Sequence, residues 1–190
     1  EAGKRGFYLT IDLFTVREPK WTDCGIDRPG RIPRGVYKLL VGVHEGAYRD
    51  WAKFAKLAMT HRNPHNGLTW AEDPAIAFVD LINEGVKPVE ARSSKEVRDE
   101  PLLREAWRRW LQEKRKQDPG YSPDAQPESY PASPRSEASV AFVSEIEARL
   151  APRQVALLRS FGYTGPVTSN NNSGRDFRQM QEVAAACYDY

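Results

Sequence analysis

The stretch Asp73-Pro-Ala-Ile-Ala-Phe-Val-Asp-Leu-Ile-Asn-Glu84 places an amide and a carboxylate, Asn83 and Glu84, directly after an apolar run. A carboxyl group in a partly desolvated setting can hold a proton near neutral pH and pass it to a reacting oxygen. Apart from Asp80, the run from Ala75 to Ile82 is uncharged, aliphatic and β-branched, as expected of a parallel strand covered on both faces. The carboxyl ends of such strands are where loops converge and ligands bind. A carboxylate placed there costs stability unless it is hydrogen-bonded or used. The plainer reading of Glu84 is that it simply leaves the strand for solvent.

Other residue types also invite a chemical reading. Asp12 interrupts the β-rich run Gly6 to Thr15, where a buried carboxylate needs a partner; it either points into a polar mouth or holds a neighbouring loop. His61 and His65 share a spacing of four, but Pro64 lies between them, no acidic third ligand is in place and His44 is remote, so no metal site is expected. Cys24 and Cys187 form neither a disulfide framework nor a ligand spacing; free, inert thiols are expected, which leaves the redox compartment open.

These residues must be held by elements that the pattern outlines. Lys4-Arg5-Gly6 reads as a helix exit into a strand. Val16 to Gly35, with three prolines, is an irregular loop. Glu45 to His61 is a helix, with Tyr48, Trp51, Ala52, Ala55, Ala58 and Met59 on one side, so Trp51 belongs to the core. Asn63-Pro-His-Asn-Gly67 ends it with turn formers. Gly85 to Arg92 is a loop, and a charged helix near 100–116 buries Leu102, Leu103, Ala106, Trp107, Trp110 and Leu111. Residues 117–135 form an inserted proline-rich linker. Ser136 to Phe161 is helical with a kink at Pro152, Val167 to Asn172 is a short strand, and Asp176 to Cys187 a last helix. Strands alternating with helices imply an α/β fold with parallel crossovers.

Asn-Glu closing a hydrophobic strand resembles the acid/base strand of clan A glycoside hydrolases, the (β/α)8 barrels that include family 5 cellulases and mannanases. The wider stretch His61-Arg-Asn-Pro-His-Asn-Gly-Leu-Thr-Trp-Ala-Glu-Asp-Pro-Ala-Ile-Ala-Phe-Val-Asp-Leu-Ile-Asn-Glu84 is similar to family-5-like sequences across the helix-to-strand turn. The resemblance implies a partial (β/α)8 TIM barrel, about strands 3–5 with their helices, with Asp12 on the third strand, Glu84 on the fourth and Asn170 to Asn172 ending the fifth. It implies a retaining glycosidase acting on a β-linked polysaccharide or oligosaccharide. Glu84 would be its general acid/base, and Asn83 would contact the 2-hydroxyl of the sugar. Asp12, Trp21, Asn170 and Asn171 are further candidates for contact with a carbohydrate substrate. Trp21 and Tyr37 either stack on a sugar face or pin the loop. No cofactor or metal is expected.

A retaining enzyme needs a second carboxylate about 5–5.5 Å from the first. Asp12, Asp73 and Asp80 do not match the family's nucleophile position, at the end of the seventh strand. At 190 residues the chain is shorter than the roughly 250 of a complete barrel, and it reads as an internal segment, inactive by itself. For the parent protein, the resemblance is compatible with a secreted or periplasmic setting. The competing class is a non-catalytic α/β module that binds carbohydrate or protein through Trp21, Tyr37, Trp70 and the asparagines.

Composition excludes other classes. The net charge of +2 makes no case for nucleic acid or an anionic membrane, and the basic residues at 104–116 alternate with glutamates as on a solvated helix face. No run approaches the ~20 apolar residues of a membrane span. No Gly-x-Gly-x-x-Gly or phosphate-cradling Gly-Lys-Ser/Thr is present. The oligomeric state is left open.

Overall fold

The computed structural model describes residues 3–14, 16–83, 95–121, 137–169, 182 and 185–188. In chain order they form β1 (Leu9–Asp12), α1 (Arg34–Val43), α2 (Glu45–Thr60), β2 (Ile76–Asp80), α3 (Lys95–Asp99), α4 (Pro101–Gln117), α5 (Glu137–Ser160) and β3 (Val167–Thr168). The strands make a parallel sheet in the order β1-β2-β3, with helices in both crossovers. This is the expected α/β class. Three strands in an open sheet are what the described residues supply. Phe7, Tyr8 and Leu9, in and just before the edge strand β1, are exposed.

Local chemistry explains most boundaries. A 3-10 turn over Gly3–Arg5 ends at Gly6, whose φ of 75° is left-handed, before the chain extends into β1. His44 caps α2 by accepting from the Ala47 amide at 3.3 Å. Trp51, Ala55 and Met59 then form a buried stripe at four-residue intervals. The turn after α2 is built from side chains that bond the backbone two residues on: Asn63 to the His65 amide at 2.9 Å and Asn66 to the Leu68 amide at 3.0 Å. Asp73 does the same for the Ala75 amide at 2.9 Å, which sets the entry to β2.

Helix α1 lies where the sequence pattern left residues 36–44 unassigned. The preceding loop holds a 3-10 turn at Trp21–Cys24 and a bridge between Lys20 and Arg31, so it is ordered. Glu100 caps α4 through the Leu102 amide at 3.1 Å, with Pro101 in the first turn. Trp107 and Trp110 of α4 both pack on Phe142 of α5, with ring centroids 5.2 and 5.5 Å away. Helix α1 packs against α2, α4 and α5, which joins the two crossovers in one apolar core. The prediction of a linker over 117–135 falls mostly on 122–136, outside the described residues. Tyr121, at its start, sets its ring edge-on to Trp110 at 6.1 Å.

Candidate functional site

Two rows of side chains cross the sheet, and alternation along each strand puts them on opposite faces. Ile11, Val79 and Val167 are register partners in one row, and Val79 and Val167 have no exposed surface. Asp12, Asp80 and Thr168 make the next row, at the carboxyl ends of all three strands. Asp12 is exposed, whereas Asp80 is 0 % exposed.

Strand pairing continues beyond these residues. The Leu13 amide donates to the Asp80 carbonyl at 2.8 Å, Leu81 to Thr168 at 2.7 Å, and Asn83 to Phe14 at 2.9 Å. From the helical side, Trp51 Nε1 donates to the Leu81 carbonyl at 3.2 Å and Lys38 Nζ to the Asn83 carbonyl at 2.8 Å. The segment from Leu81 to Asn83 is therefore fixed by both neighbouring strands and by α1 and α2. Asn83 itself is half-buried.

Burial pushes the Asp80 carboxyl from 3.8 up to about 7, and the Asp12 carboxylate adds to the rise. The Ile82 amide and the Lys38 ammonium pull the other way, while Glu147 raises it slightly. The Ile82 contact falls short of a well-formed bond, since neither Asp80 oxygen has a hydrogen-bond partner of normal geometry among the described residues. Near neutral pH Asp80 is thus poised between acid and carboxylate, a state suited to holding or passing a proton. Glu147 of α5 accepts from the Tyr188 hydroxyl, and burial with that charge holds the Tyr188 phenol well above its ordinary range.

A second buried polar cluster stands behind the loop that follows β1. Asp50 accepts from the Tyr37 hydroxyl at 2.6 Å and from the Arg17 guanidinium at 2.6 Å. Burial and the Asp50 carboxylate keep the Tyr37 phenol protonated, with its pKa raised. Burial likewise pushes the Cys24 thiol up to about 11, the unreactive state expected of it.

Of the residues singled out by sequence, Asp12 and Asn83 lie at the carboxyl end of the sheet. Glu84, Asn170 and Asn171 fall outside the described residues. Trp21 is 5 % exposed and carries the Arg28 guanidinium 3.9 Å over its ring, the packing of a loop anchor. Tyr37 has no exposed surface and presents no face for stacking. Trp70, in contrast, is exposed and lines a cavity of about 330 Å3 with Asp12, Leu13, Phe54, Leu57 and His61. The reading from sequence passed over Lys38. The clue was there: one lysine inside the apolar run Val36 to Val41. Among the described residues no group of histidines, cysteines and carboxylates is arranged to hold a metal ion. No helix among them is long and apolar enough to cross a membrane.

Comparison with protein-family models, curated proteins and solved structures finds no match to this chain.

Proposed function

We propose that this chain carries the acid/base strand of a retaining glycoside hydrolase acting on a β-linked polysaccharide or oligosaccharide. In this reading β1, β2 and β3 are the third to fifth strands of a (β/α)8 barrel. The observation that carries it is the position of Asn83, immediately beyond the carboxyl end of the central parallel strand and fixed there by the Phe14 carbonyl and Lys38. Glu84 is the next residue in the chain. The resemblance around Asn-Glu supplies the chemistry.

Glu84, as a carboxylic acid, gives its proton to the glycosidic oxygen as the bond from that oxygen to the anomeric carbon breaks. A second carboxylate, outside the residues that carry the resemblance, forms an ester to the anomeric carbon in the same step. Glu84, now a carboxylate, takes a proton from water as that water attacks the anomeric carbon and the ester bond breaks. Asn83 hydrogen-bonds the 2-hydroxyl, a contact that strengthens as the oxocarbenium ion develops. Trp70 and Asp12 line one cavity along α2 with Phe54, Leu57 and His61, which offers a sugar one aromatic wall and one acceptor.

The test is hydrolysis of β-glucan and β-mannan oligosaccharides by the full natural chain, with and without Glu84→Gln. The substitution should lower kcat by at least ~100-fold and leave oligosaccharide binding in place. Binding that Glu84→Gln leaves intact, with no hydrolysis even by the unmodified chain, would instead support a non-catalytic carbohydrate-binding module.

A further inference from the structure

We propose that Lys38 is a positioning residue of this site, its ammonium holding the carbonyl of the peptide that joins Asn83 to Glu84. The inference rests on the glycosidase reading for its catalytic meaning, while the contact itself is independent of it. Lys38 stands in the middle of α1, is 3 % exposed, and is flanked by buried Val36, Tyr37, Leu39, Leu40 and Val41. Burying an ammonium is unfavourable unless strong partners replace its water, and an apolar side chain would fill the place without that penalty. The Nζ reaches the Asn83 carbonyl at 2.8 Å, a charge-assisted hydrogen bond across 45 residues of sequence.

That bond completes a frame. The Asn83 amide is held by Phe14 at 2.9 Å, the Leu81 amide by Thr168 at 2.7 Å and the Leu81 carbonyl by Trp51 at 3.2 Å. These contacts fix the segment as far as the Asn83 nitrogen. Lys38 extends the frame across Asn83 to its carbonyl oxygen. On the glycosidase reading the peptide held there leads into the acid/base residue, and a displacement of about 1 Å at a reacting group can cost ~100-fold in rate. The ammonium also bears on Asp80, whose carboxyl it opposes in holding a proton. Among the described residues, the charged groups around this carboxyl are Asp12 on β1, Lys38 on α1 and Glu147 on α5.

Two measurements on the full natural chain test the proposal, each comparing wild type with Lys38→Met and Lys38→Arg. The first is amide hydrogen exchange resolved at single residues. Lys38→Met should speed exchange at Asn83 by at least ~10-fold and leave Val79 and Leu81 unchanged, and Lys38→Arg should restore most of the protection. Unchanged exchange at Asn83, or equal acceleration at all three amides, overturns the positioning role whether or not the chain proves to be a glycosidase. The second compares phenyl with 2,4-dinitrophenyl β-cellobiosides and β-mannobiosides, because the dinitrophenolate leaves without a proton. Lys38→Met should lower kcat/KM, which reports the step in which the leaving group departs, ~100-fold on the phenyl substrates and less than ~5-fold on the dinitrophenyl substrates. An equal fall on both overturns the catalytic part. Absence of hydrolysis by wild type defeats the glycosidase reading instead, and leaves the exchange result to decide what Lys38 does.

Discussion

Asp12 and Asp80 are register partners at the ends of adjacent parallel strands, one open to solvent and the other wholly enclosed. The enclosed member is the one whose acidity changes. Its pKa is raised above the unfolded value, so between about 4 and 7 the folded chain binds a proton that the unfolded chain does not. Stability therefore falls as pH rises from about 4 to about 7 and levels off above that. The rise from 3.8 to about 7 corresponds to roughly 4 kcal/mol at most. Asp80→Asn, which cannot ionise, should flatten this slope and raise the melting temperature at pH 8 relative to the unsubstituted chain. A series of thermal melts from pH 4 to 8 checks both effects.

The Tyr37–Asp50 bond is short, buried and charge-assisted, and Arg17 occupies the second carboxylate oxygen. Tyr37→Phe should destabilise by about 1.5–3 kcal/mol. Asp50→Ala should cost more, because it leaves a buried hydroxyl and a part-buried guanidinium without their acceptor. Urea titration followed by tryptophan fluorescence gives both values, and equal costs for the two variants would contradict the network.

Gly46, in the first turn of α2, lies against the Cys24 carbonyl, and a Cβ added there would overlap that oxygen. The obstacle is backbone, so it cannot swing aside as a side chain does. Gly46→Ala should destabilise the chain by at least ~2 kcal/mol despite the better helix propensity of alanine. A midpoint of urea unfolding equal to or above that of the parent would refute the close approach of α2 to the loop.

Trp107 has no exposed surface and packs against both Trp110 and Phe142, so it helps tie α4 to α5. Trp107→Ala should cost about 3–5 kcal/mol. Trp107→Phe should recover much of that, since the aromatic contact survives. Near-ultraviolet circular dichroism should lose intensity in the alanine variant and retain most of it in the phenylalanine variant.

Helix α2 was legible because its order is written in spacing: Trp51, Ala55 and Met59 recur at the helical period and are the residues that bury. The turn at 63–67 and the entry at Asp73 were legible because asparagine, aspartate and glycine act on their own backbone within two residues. β2 was legible as a run of apolar residues with one charge in it. Helix α1 was not. Its buried run Val36 to Val41, with two β-branched residues and with glycines at 35 and 42, has weak local preference. What makes it a helix is packing against α2, α4 and α5, which lie far along the chain.

The candidate site divides along the same line. By itself the sequence determined that Asn83 and Glu84 follow an apolar strand and that Asp80 interrupts it. Only the tertiary structure decided that Asp80 is enclosed while its partner Asp12 is exposed, and that Trp21 and Tyr37 are packed inside. Only the tertiary structure carries Lys38 to the Asn83 carbonyl. The physical reason is that burial and long-range hydrogen bonds depend on which segments meet. Alternation and helical period report only which side of an element a residue takes.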